Sequence, residues 1–324
     1  MQKIIVEICQ NHNGDRKLLQ ELIRVAAENG ADIIKGQIIF SEDTTDRERF
    51  NEGYLEHNGV RKAIHRPYGV EIARLKTLDL SEADYHFFVE EVKRAGKTPM
   101  LTVFSRKRIP LTASLPWSGE KLVKVASYDC GSFPMIRELA DNFDTLIVST
   151  GASFNEEVEE TSKILKEKNK RFALLHCVTS YPNTLAMANL ARMEWLRTFT
   201  KEVGWSDHTL VARDGIKAAQ VALMLGADYI ERHFTILPSD KTKDGPISIN
   251  PAQLKELSRF ARLAKNEQKQ FVEKEIPEWR IMLGYAKRDM THTEMLNRDY
   301  YRGRFASFAN NEWVYNWENK TLFS

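Results

Sequence analysis

The chain has 324 residues and a formal net charge of +2, with acidic and basic residues interspersed along its length. This balance argues against the basic surface of a nucleic-acid-binding protein, so we predict no nucleic-acid partner and expect any anionic ligand to be bound by a local group of cations. The length accommodates two domains, or one α/β barrel of about 250 residues with extensions.

Nothing in the sequence indicates a membrane or secreted location. The N-terminus lacks a basic start followed by an apolar signal core, and no apolar run approaches the roughly 18 residues of a membrane-spanning helix. Cys9, Cys130 and Cys177 are an odd, widely spaced set, which suits a reduced compartment better than a disulfide framework. We therefore expect a soluble, cytoplasmic protein without a membrane partner.

Apolar, β-branched runs alternate with amphipathic segments along most of the chain. The predicted strands are 4–9, 32–38, 98–104, 122–127, 145–151, 172–177, 204–209 and 230–235. The predicted helices are 17–29, 81–96 with Ser81 as N-cap, 133–141, 155–168, 190–199, 211–226 and 251–269. Eight strands that are apolar on both faces predict a (β/α)8 TIM barrel rather than an open sheet. No glycine-rich dinucleotide loop follows the first strand.

Two segments fall outside this alternation. The polar segment 41–76 is too long for a plain barrel connection, and we interpret it as a lid or a subunit-contact insertion. We assign residues 1–272 to the barrel and residues 273–324 to a C-terminal arm. The last part of this C-terminal extension, residues 295–324, is rich in Tyr, Arg, Asn and Trp, so we expect an irregular arm there, packed on the barrel or on a neighbouring subunit.

Polar side chains cluster at the C-terminal ends of the predicted strands, where the active site of a barrel lies. They are Glu7, Lys35 with Gln37, Thr102 with Ser105 and Arg106, Lys124 with Ser127, Ser149 with Thr150, His176, Ser206 with Asp207 and His208, and Glu231 with His233. Lysines and hydroxyls suit a phosphorylated, oxygen-rich substrate. Two neutral imidazoles on adjacent parallel strands, His208 and His233, can bind a divalent metal.

These residues have other interpretations. Lys35 or Lys124 could form the Schiff base of an aldolase, or could pair with a neighbouring carboxylate, as buried charges usually do. His12 and His176 could be ordinary hydrogen-bonded residues. The segment Asn13-Gly14-Asp15 could be no more than a turn before a helix.

Several motifs occur in an order and spacing that resemble the sialic acid synthases, enzymes that condense phosphoenolpyruvate with an N-acylated amino sugar. The motifs are 7–15 (EICQNHNGD), 30–37 (GADIIKGQ), 124–127 (KVAS), 149–151 (STG), 174–182 (LLHCVTSYP), 206–209 (SDHT) and 231–235 (ERHFT). The resemblance extends from residue 4 to about residue 260 and, as an ordered set, is far more specific than any single motif.

The resemblance implies a role for each matching position. His208 and His233 match positions that bind a divalent cation, expected to be manganese with magnesium and cobalt as alternatives, which holds the acceptor aldehyde. Glu7 is the first candidate for proton transfer and Asp129 the second. The residues implied to contact phosphoenolpyruvate are Lys35, Lys124, Ser127, Ser149, Thr179 and Ser206. Those assigned to the acceptor sugar are Gln37, Tyr181 and Asp244.

The chain also departs from the family pattern, which leaves the acceptor open. Gly36 replaces a larger residue, Tyr128-Asp129 stands where Gly-Glu is usual, and the loop 243–248 lacks the usual Pro-Asp-His-Lys pattern. Family members usually carry a C-terminal antifreeze-like domain that donates an arginine to the sugar site, and we expect this chain to be too short for one. We hypothesise that Arg302 or Arg304 reaches an acceptor site in its own or a neighbouring subunit of a homo-oligomer, a dimer or larger. The alternative is that both pack against the barrel bottom.

The resemblance therefore predicts a transferase that condenses phosphoenolpyruvate with the open-chain aldehyde of N-acetylmannosamine or a diacetamido hexose, giving a nonulosonic (sialic-type) acid and phosphate. A phosphoenolpyruvate-dependent 3-deoxy-ulosonic acid synthase acting on another aldose or aldose phosphate is the alternative. It would need a second basic cluster for the acceptor phosphate, which the sequence does not locate. A Schiff-base aldolase is a further alternative. A non-catalytic sugar-binding protein ranks last, because buried polar groups without a use are costly.

Overall fold

The computed structural model describes residues 2–322 and shows a closed barrel of parallel strands, which confirms the predicted (β/α)8 fold. The strands follow one another around the barrel in chain order, and the first pairs with the last. They are β1 (Lys3–Glu7), β2 (Ile33–Ile38), β3 (Thr98–Val103), β4 (Leu122–Val125), β5 (Thr145–Ser149), β6 (Arg171–Cys177), β7 (Glu202–Asp207) and β8 (Tyr229–His233).

The alternation of side chains along each strand gives the barrel an outer and an inner face. Outward residues such as Ile4, Val6 and Ile34 join the main hydrophobic core beneath the helices. The inside is filled by a separate apolar layer, made of Ile5, Ile33, Met100, Leu122, Ile147, Ala173, Leu175 and Tyr229. Two residues further along the strands the same inner face carries charged and hydroxyl side chains, so the interior changes from apolar to polar toward the C-terminal strand ends.

Helices surround the barrel, and most begin and end near their predicted limits. The α-helices are Arg16–Glu28, Arg49–Glu52, Tyr68–Lys76, Glu82–Arg94, Ile109–Ser114, Phe133–Asn142, Asn155–Glu167, Arg192–Arg197, Val211–Asp214, Lys217–Met224, Pro251–Ala261, Lys265–Glu275 and His292–Tyr301. Short 3-10 turns lie at Ser41–Asp43, Arg106–Arg108, Ser127–Asp129, Leu185–Met187, Gly245–Ile247 and Trp279–Met282. Within residues 2–322, no helix combines the length and apolar character that crossing a bilayer requires.

Two predicted helices are each divided in the structure. Gly215, with φ of 57°, ends Val211–Asp214 before Lys217–Met224 begins. The predicted helix 251–269 breaks near Ala264, whose extended backbone N–H donates to the Glu267 carboxylate at 2.8 Å and so caps Lys265–Glu275. The apolar spacing continues across both breaks, which is why periodicity alone did not reveal them.

The segment 41–76 has its own secondary structure. It contains the helices Arg49–Glu52 and Tyr68–Lys76 and a hairpin of Tyr54–Leu55 with Arg61–Ala63. It packs against the C-terminal arm. Thr44 forms an isolated antiparallel β-bridge with Phe305, and the Arg47 guanidinium donates to the Arg302 carbonyl at 3.0 Å.

The expectation of an irregular C-terminal arm is wrong. The arm contains the helix His292–Tyr301, capped by Thr291 and Glu294, and a hairpin of Ser307–Ala309 with Glu312–Val314. Nor does this arm pack against the barrel bottom: the Asn316 side chain donates to the carbonyl of Phe104, just beyond the C-terminal end of β3, at 2.9 Å. The Thr-x-x-Glu capping box was a readable start signal in the sequence.

A fully buried ion pair joins β7 and β8 next to the two candidate metal-binding histidines. Arg232 lies 2.6 Å from Asp207, and neither side chain is exposed. Arg232 also donates to the Thr209 hydroxyl at 3.0 Å, and Asp207 accepts from the Thr209 N–H at 2.9 Å. The pair therefore fixes the chain around His208.

We predict that Arg232→Met lowers the free energy of unfolding by about 3–5 kcal/mol, because it leaves a buried carboxylate without its partner. Chemical denaturation measures the change. The control is Arg171→Ala, which removes the half-exposed contact of Arg171 with Glu202 and should cost at most about 1 kcal/mol. Equal effects of the two substitutions would contradict the structural role of the buried pair.

Candidate active site

A cavity of about 420 Å³ opens at the C-terminal ends of the barrel strands. Its size is that of a small-molecule site. It is formed by strand ends, by the 41–76 segment, by the loop after β8 and by the C-terminal arm. The predicted site residues that line it are Glu7, Lys35, Gln37, Lys124, Ser127, Ser149, Tyr181, His208, His233, Asp244 and Arg304.

The floor of the cavity is a layer of buried charges centred on Glu231. Its carboxylate lies 3.5 Å from the Lys35 ammonium and 3.9 Å from that of Lys124. Lys35 also forms an ion pair with Glu7, and the side chains of all four are at most 5% exposed. The two lysines therefore have carboxylate partners, as one of the alternative interpretations anticipated, and both still face the cavity.

Hydroxyl groups complete the hydrogen bonds of this layer. Lys124 donates to Ser149 at 2.6 Å, and Lys35 donates to Thr102 at 3.1 Å. Ser206 donates to the Glu231 carboxylate at 2.8 Å. Each contact joins neighbouring or nearby strands, so the side chains are held in place before any ligand arrives.

Burial and the neighbouring charges shift the pKa values of the layer. Burial, together with the Lys124 charge, lowers the pKa of Lys35 to about 8. Burial opposes ionisation of Glu231, but the charges of Lys124 and Lys35 outweigh it and hold the pKa of this carboxyl at about 2. At neutral pH the floor thus presents ammonium groups around a fixed carboxylate.

The two histidines lie side by side at the ends of β7 and β8. Their ring centroids are 5.4 Å apart, and the Nδ1 atoms of both rings are buried without a hydrogen-bond partner. Burial lowers the pKa of both imidazoles, so they are neutral near pH 7. Neutral, unpartnered imidazole nitrogens are suited to binding a metal ion.

Cys9 and Asp244 form a group of possible metal ligands with His233, and His208 is not part of that group. Ligand atoms of Cys9, His233 and Asp244 all lie within 4.8 Å of one another. Cys9 follows β1 in a left-handed backbone conformation with φ of 44°, and its N–H donates to the Glu7 carboxylate at 2.6 Å. Sulfur, imidazole nitrogen and carboxylate oxygen together fit a divalent transition metal. The sequence interpretation missed Cys9, although its position two residues beyond Glu7 was a usable signal.

Four predicted site residues, Asp129, Thr179, Ser206 and Arg302, are absent from the cavity lining. Asp129 is buried and accepts hydrogen bonds from Ser132 and Asn316 at 2.9 and 3.1 Å, so it anchors the C-terminal arm. Burial raises the pKa of Asp129 to about 6. Of the two carboxylates considered for proton transfer, only Glu7 faces the cavity.

The other three residues have contacts of their own. Thr179 is buried, and its carbonyl accepts from the Asn297 side chain at 2.8 Å. Ser206 reaches the cavity only through its hydrogen bond to Glu231. Arg302 contacts Glu157 at 3.0 Å and stacks on Trp317, whereas Arg304 of the same segment does line the cavity. The candidate arginine is therefore Arg304, contributed by the chain's own arm.

His12 and His176 behave as ordinary hydrogen-bonded residues. The Nδ1 atom of His12 accepts from the Gly14 N–H at 3.0 Å, so the 13–15 segment is a turn before the first helix. His176 donates from Nε2 to the Ala188 carbonyl at 2.8 Å and packs on Trp205.

Aromatic rings form the outer wall of the cavity. Tyr128 stacks on Tyr301 of the arm with ring centroids 5.4 Å apart, and Tyr181 packs on His208 at 4.4 Å. Tyr128, one of the departures from the family pattern, therefore faces the ligand space. Gly36, another departure, does not: a Cβ there would lie 3.2 Å from Phe88 and Leu101, on the outer face of the barrel.

Comparisons with known proteins agree with this fold. A model described as the NeuB family matches residues 22–273. The chain is 33% identical over 271 residues to the N,N′-diacetyllegionaminic acid synthase of Legionella pneumophila, spanning 81% of this chain and 72% of that enzyme. It is 30% identical over 312 residues to an uncharacterized protein of Methanocaldococcus jannaschii, spanning 95% and 82% of the two chains.

A solved structure is similar over almost the whole length. The N-acetylneuraminic acid (sialic acid) synthetase of Leptospira borgpetersenii, in complex with citrate, superposes with a TM-score of 0.67 at 26% identity, covering 92% of this chain and 90% of that one. This chain therefore belongs to the NeuB family and is an enzyme of the carbon–carbon bond-forming transferase class to which these sialic-type acid synthases belong.

Proposed function

We propose that the enzyme condenses phosphoenolpyruvate with the open-chain aldehyde of an N-acylated amino hexose to give a nonulosonic acid and phosphate. The observation that carries the proposal is the cavity floor, where buried Lys35 and Lys124 flank Glu231 close to two unpartnered imidazoles. Such a floor offers an anion site next to a cation site, which this pair of substrates requires.

Phosphoenolpyruvate is proposed to lie over the floor. Its phosphate and carboxylate bind to the ammonium groups of Lys35 and Lys124, and the hydroxyls of Ser127 and Ser149 donate further hydrogen bonds to them. Because the lysines are held by Thr102 and Ser149, binding costs little side-chain reorganisation. The enol is thereby fixed toward the histidine side of the cavity, which is chiefly catalysis by proximity.

His208 and His233 are proposed to hold a divalent cation with Cys9 and Asp244. The orphaned imidazole nitrogens and the S, N and O donor atoms support a transition metal. Manganese is the expected ion; magnesium and cobalt are alternatives, and the Cys9 sulfur disfavours magnesium. When bound, such a cation supplies Lewis-acid polarisation of a carbonyl.

Glu7 is the proposed proton-transfer group. C3 of phosphoenolpyruvate attacks the aldehyde carbon, water adds at C2, and phosphate then leaves with cleavage of the C–O bond. Glu7 takes the proton released by the water and returns it to the aldehyde oxygen, so protons balance over the cycle. Its hydrogen bond from the Cys9 N–H and its ion pair with Lys35 hold the carboxylate at the strand end.

The acceptor is proposed to occupy the outer half of the cavity, between Gln37, Tyr181 and the arm residues Tyr301 and Arg304. The names of the relatives support an N-acylated amino hexose, which includes N-acetylmannosamine and the diacetamido hexoses. We also propose a homo-oligomer.

Phosphate release from phosphoenolpyruvate with manganese and a panel of N-acyl hexoses tests the function. Release with at least one of them, without trapping of pyruvate on the protein by borohydride, is the expected outcome. Borohydride trapping would instead identify a Schiff-base aldolase, since only that mechanism forms an imine with a lysine.

We predict that Glu7→Gln lowers kcat by about 10²–10⁴-fold, the usual contribution of general acid–base catalysis, without weakening phosphoenolpyruvate binding. Single-turnover kinetics and calorimetry separate the two effects. Glu202→Gln, at the opposite end of the barrel, is the matched control and should leave both constants unchanged. A loss of binding equal to the loss of kcat would assign Glu7 to substrate binding instead.

We predict that excess chelator abolishes phosphate release without changing the circular dichroism spectrum. The cobalt-loaded protein should show a sulfur-to-cobalt charge-transfer band in the near ultraviolet, because thiolate is the ligand form of cysteine. Cys9→Ser should remove this band, and Cys130→Ser, which alters a buried thiol that does not belong to the Cys9, His233 and Asp244 group, should keep it. A band that survives Cys9→Ser would exclude sulfur ligation at this position.

We predict that the dissociation constant for phosphoenolpyruvate rises by up to about tenfold per pH unit above pH 8, as the Lys35 ammonium, whose pKa is about 8, loses its proton. Below pH 8 Lys35 is charged, so the affinity for phosphoenolpyruvate is higher there than above pH 8. Calorimetry across pH 7–10 measures the effect. Lys35→Arg should remove the alkaline limb, since arginine stays protonated; an identical limb in both proteins would exclude Lys35 as its source.

A further inference from the structure

A second group of cations lines the outer part of the active-site cavity. Arg66 and Arg74 come from the 41–76 segment, Lys243 from the loop after β8, and Arg304 from the C-terminal arm. We call these four residues the outer basic cluster. None lies on a barrel strand, so the cluster is formed by separate segments that meet only in the folded chain.

One carboxylate serves most of the cluster. Glu71 accepts from Arg74 at 2.9 and 3.2 Å, forms an ion pair with Arg304 and lies 3.8 Å from Lys243. Burial opposes the ionisation of Glu71, but these three cations hold its pKa at about 2. Glu71 is therefore ionised at neutral pH and contributes one negative charge. Three cations thus share one carboxylate, and Arg66 adds a fourth positive charge that does not contact Glu71.

Two further observations show which positively charged groups of the cluster lack a partner in the part of the chain that the structure describes. Among residues 2–322 no ion pair includes Arg66. Arg304 is only 8% exposed, and its Nε atom is buried without a hydrogen-bond partner. Gathering like charges in a partly buried space is unfavourable unless an anion joins them. A purely structural network would be expected to supply more than one carboxylate.

We infer that the outer basic cluster binds an anionic group of the acceptor, a phosphate monoester at the end of the sugar remote from its aldehyde. This inference rests on the proposed function, which places the aldehyde near His208 and His233 at the inner end of the same cavity. A phosphate monoester carries about −1.5 to −2 charges at pH 7, which suits a local excess of positive charge better than a single carboxylate does. Arginine forks bind phosphate oxygens in pairs.

The inference changes the acceptor class. A synthase that uses an aldose phosphate requires a second basic cluster, and the sequence alone did not locate one. The sequence did not reveal the cluster because its members, at positions 66, 74, 243 and 304, are far apart in the chain. They lie on three segments outside the repeating strands.

The test compares kcat/KM for N-acetylmannosamine and its 6-phosphate, with manganese and saturating phosphoenolpyruvate. We expect the phosphate ester to be preferred at least 10²-fold. Arg66→Ala, which removes an exposed side chain without an ion pair, should lower that preference at least tenfold through the KM of the ester. Arg61→Ala, in the same 41–76 segment but outside the cavity, should leave the preference unchanged. Equal kcat/KM for both sugars would overturn the inference and leave the proposed function intact.

A binding measurement covers the case in which neither sugar turns over, which would count against the proposed function. Calorimetry with mannose 6-phosphate, mannose and mannuronate uses matched probes that differ only in the group at C6. Binding of the phosphate ester alone, weakened at least tenfold by Arg66→Ala, supports the cluster as a phosphate site. Tighter binding of mannuronate would overturn the phosphate assignment in favour of a carboxylate, and equal binding of mannose would overturn the inference.

Discussion

The active site depends on one buried arrangement, a glutamate shared by two lysines inside a barrel. Removing three charged groups from water is costly, and the cost is offset only when each charge has partners. Glu231 provides that compensation for both ammonium groups, and the hydroxyls of Ser149, Thr102 and Ser206 supply the remaining hydrogen bonds. The apolar layer directly beneath fills the barrel interior, so the charges are fixed at the one end where a ligand can reach them.

The same alternation that builds the barrel also delivers the chemistry. Along β8 the inward positions are Tyr229, Glu231 and His233: one fills the core, the next compensates the lysines and the last faces the candidate metal site. The outward positions of the neighbouring strand ends hold the Asp207–Arg232 pair, which fixes the chain around His208. A single short strand therefore contributes to stability, to anion binding and to the metal site.

Sequence reasoning predicted what depends on local periodicity and on strand order. The strands, the barrel and the polar layer at its C-terminal end follow from alternation and from the rule that parallel strands end at one face. It missed Cys9 because a cysteine beside an apolar run resembles a core residue, and only the left-handed turn after β1 directs it toward His233. It assigned Asp129 to the site from the family resemblance alone, whereas Asp129 accepts a hydrogen bond from Asn316 and is absent from the cavity lining.

Contacts between distant segments were the least predictable. Arg304 and Glu71 are 233 residues apart, and nothing in either local sequence indicates their pairing. The arm and the 41–76 segment nevertheless close the same cavity whose floor the barrel provides. The barrel strands thus supply the floor of the cavity, and the 41–76 segment, the loop after β8 and the arm supply its outer wall, as loops on a rigid barrel allow.

The most direct test of this account uses phosphoenolpyruvate that carries ¹⁸O in the oxygen bridging C2 and phosphorus. Incubation with manganese and an accepted sugar, followed by mass spectrometry of both products, locates the label. Attack by C3 and addition of water at C2 predict that the released phosphate carries all of the ¹⁸O and the keto acid none. Label retained in the keto acid would show cleavage at phosphorus and contradict the mechanism built on Lys35, Lys124 and Glu7.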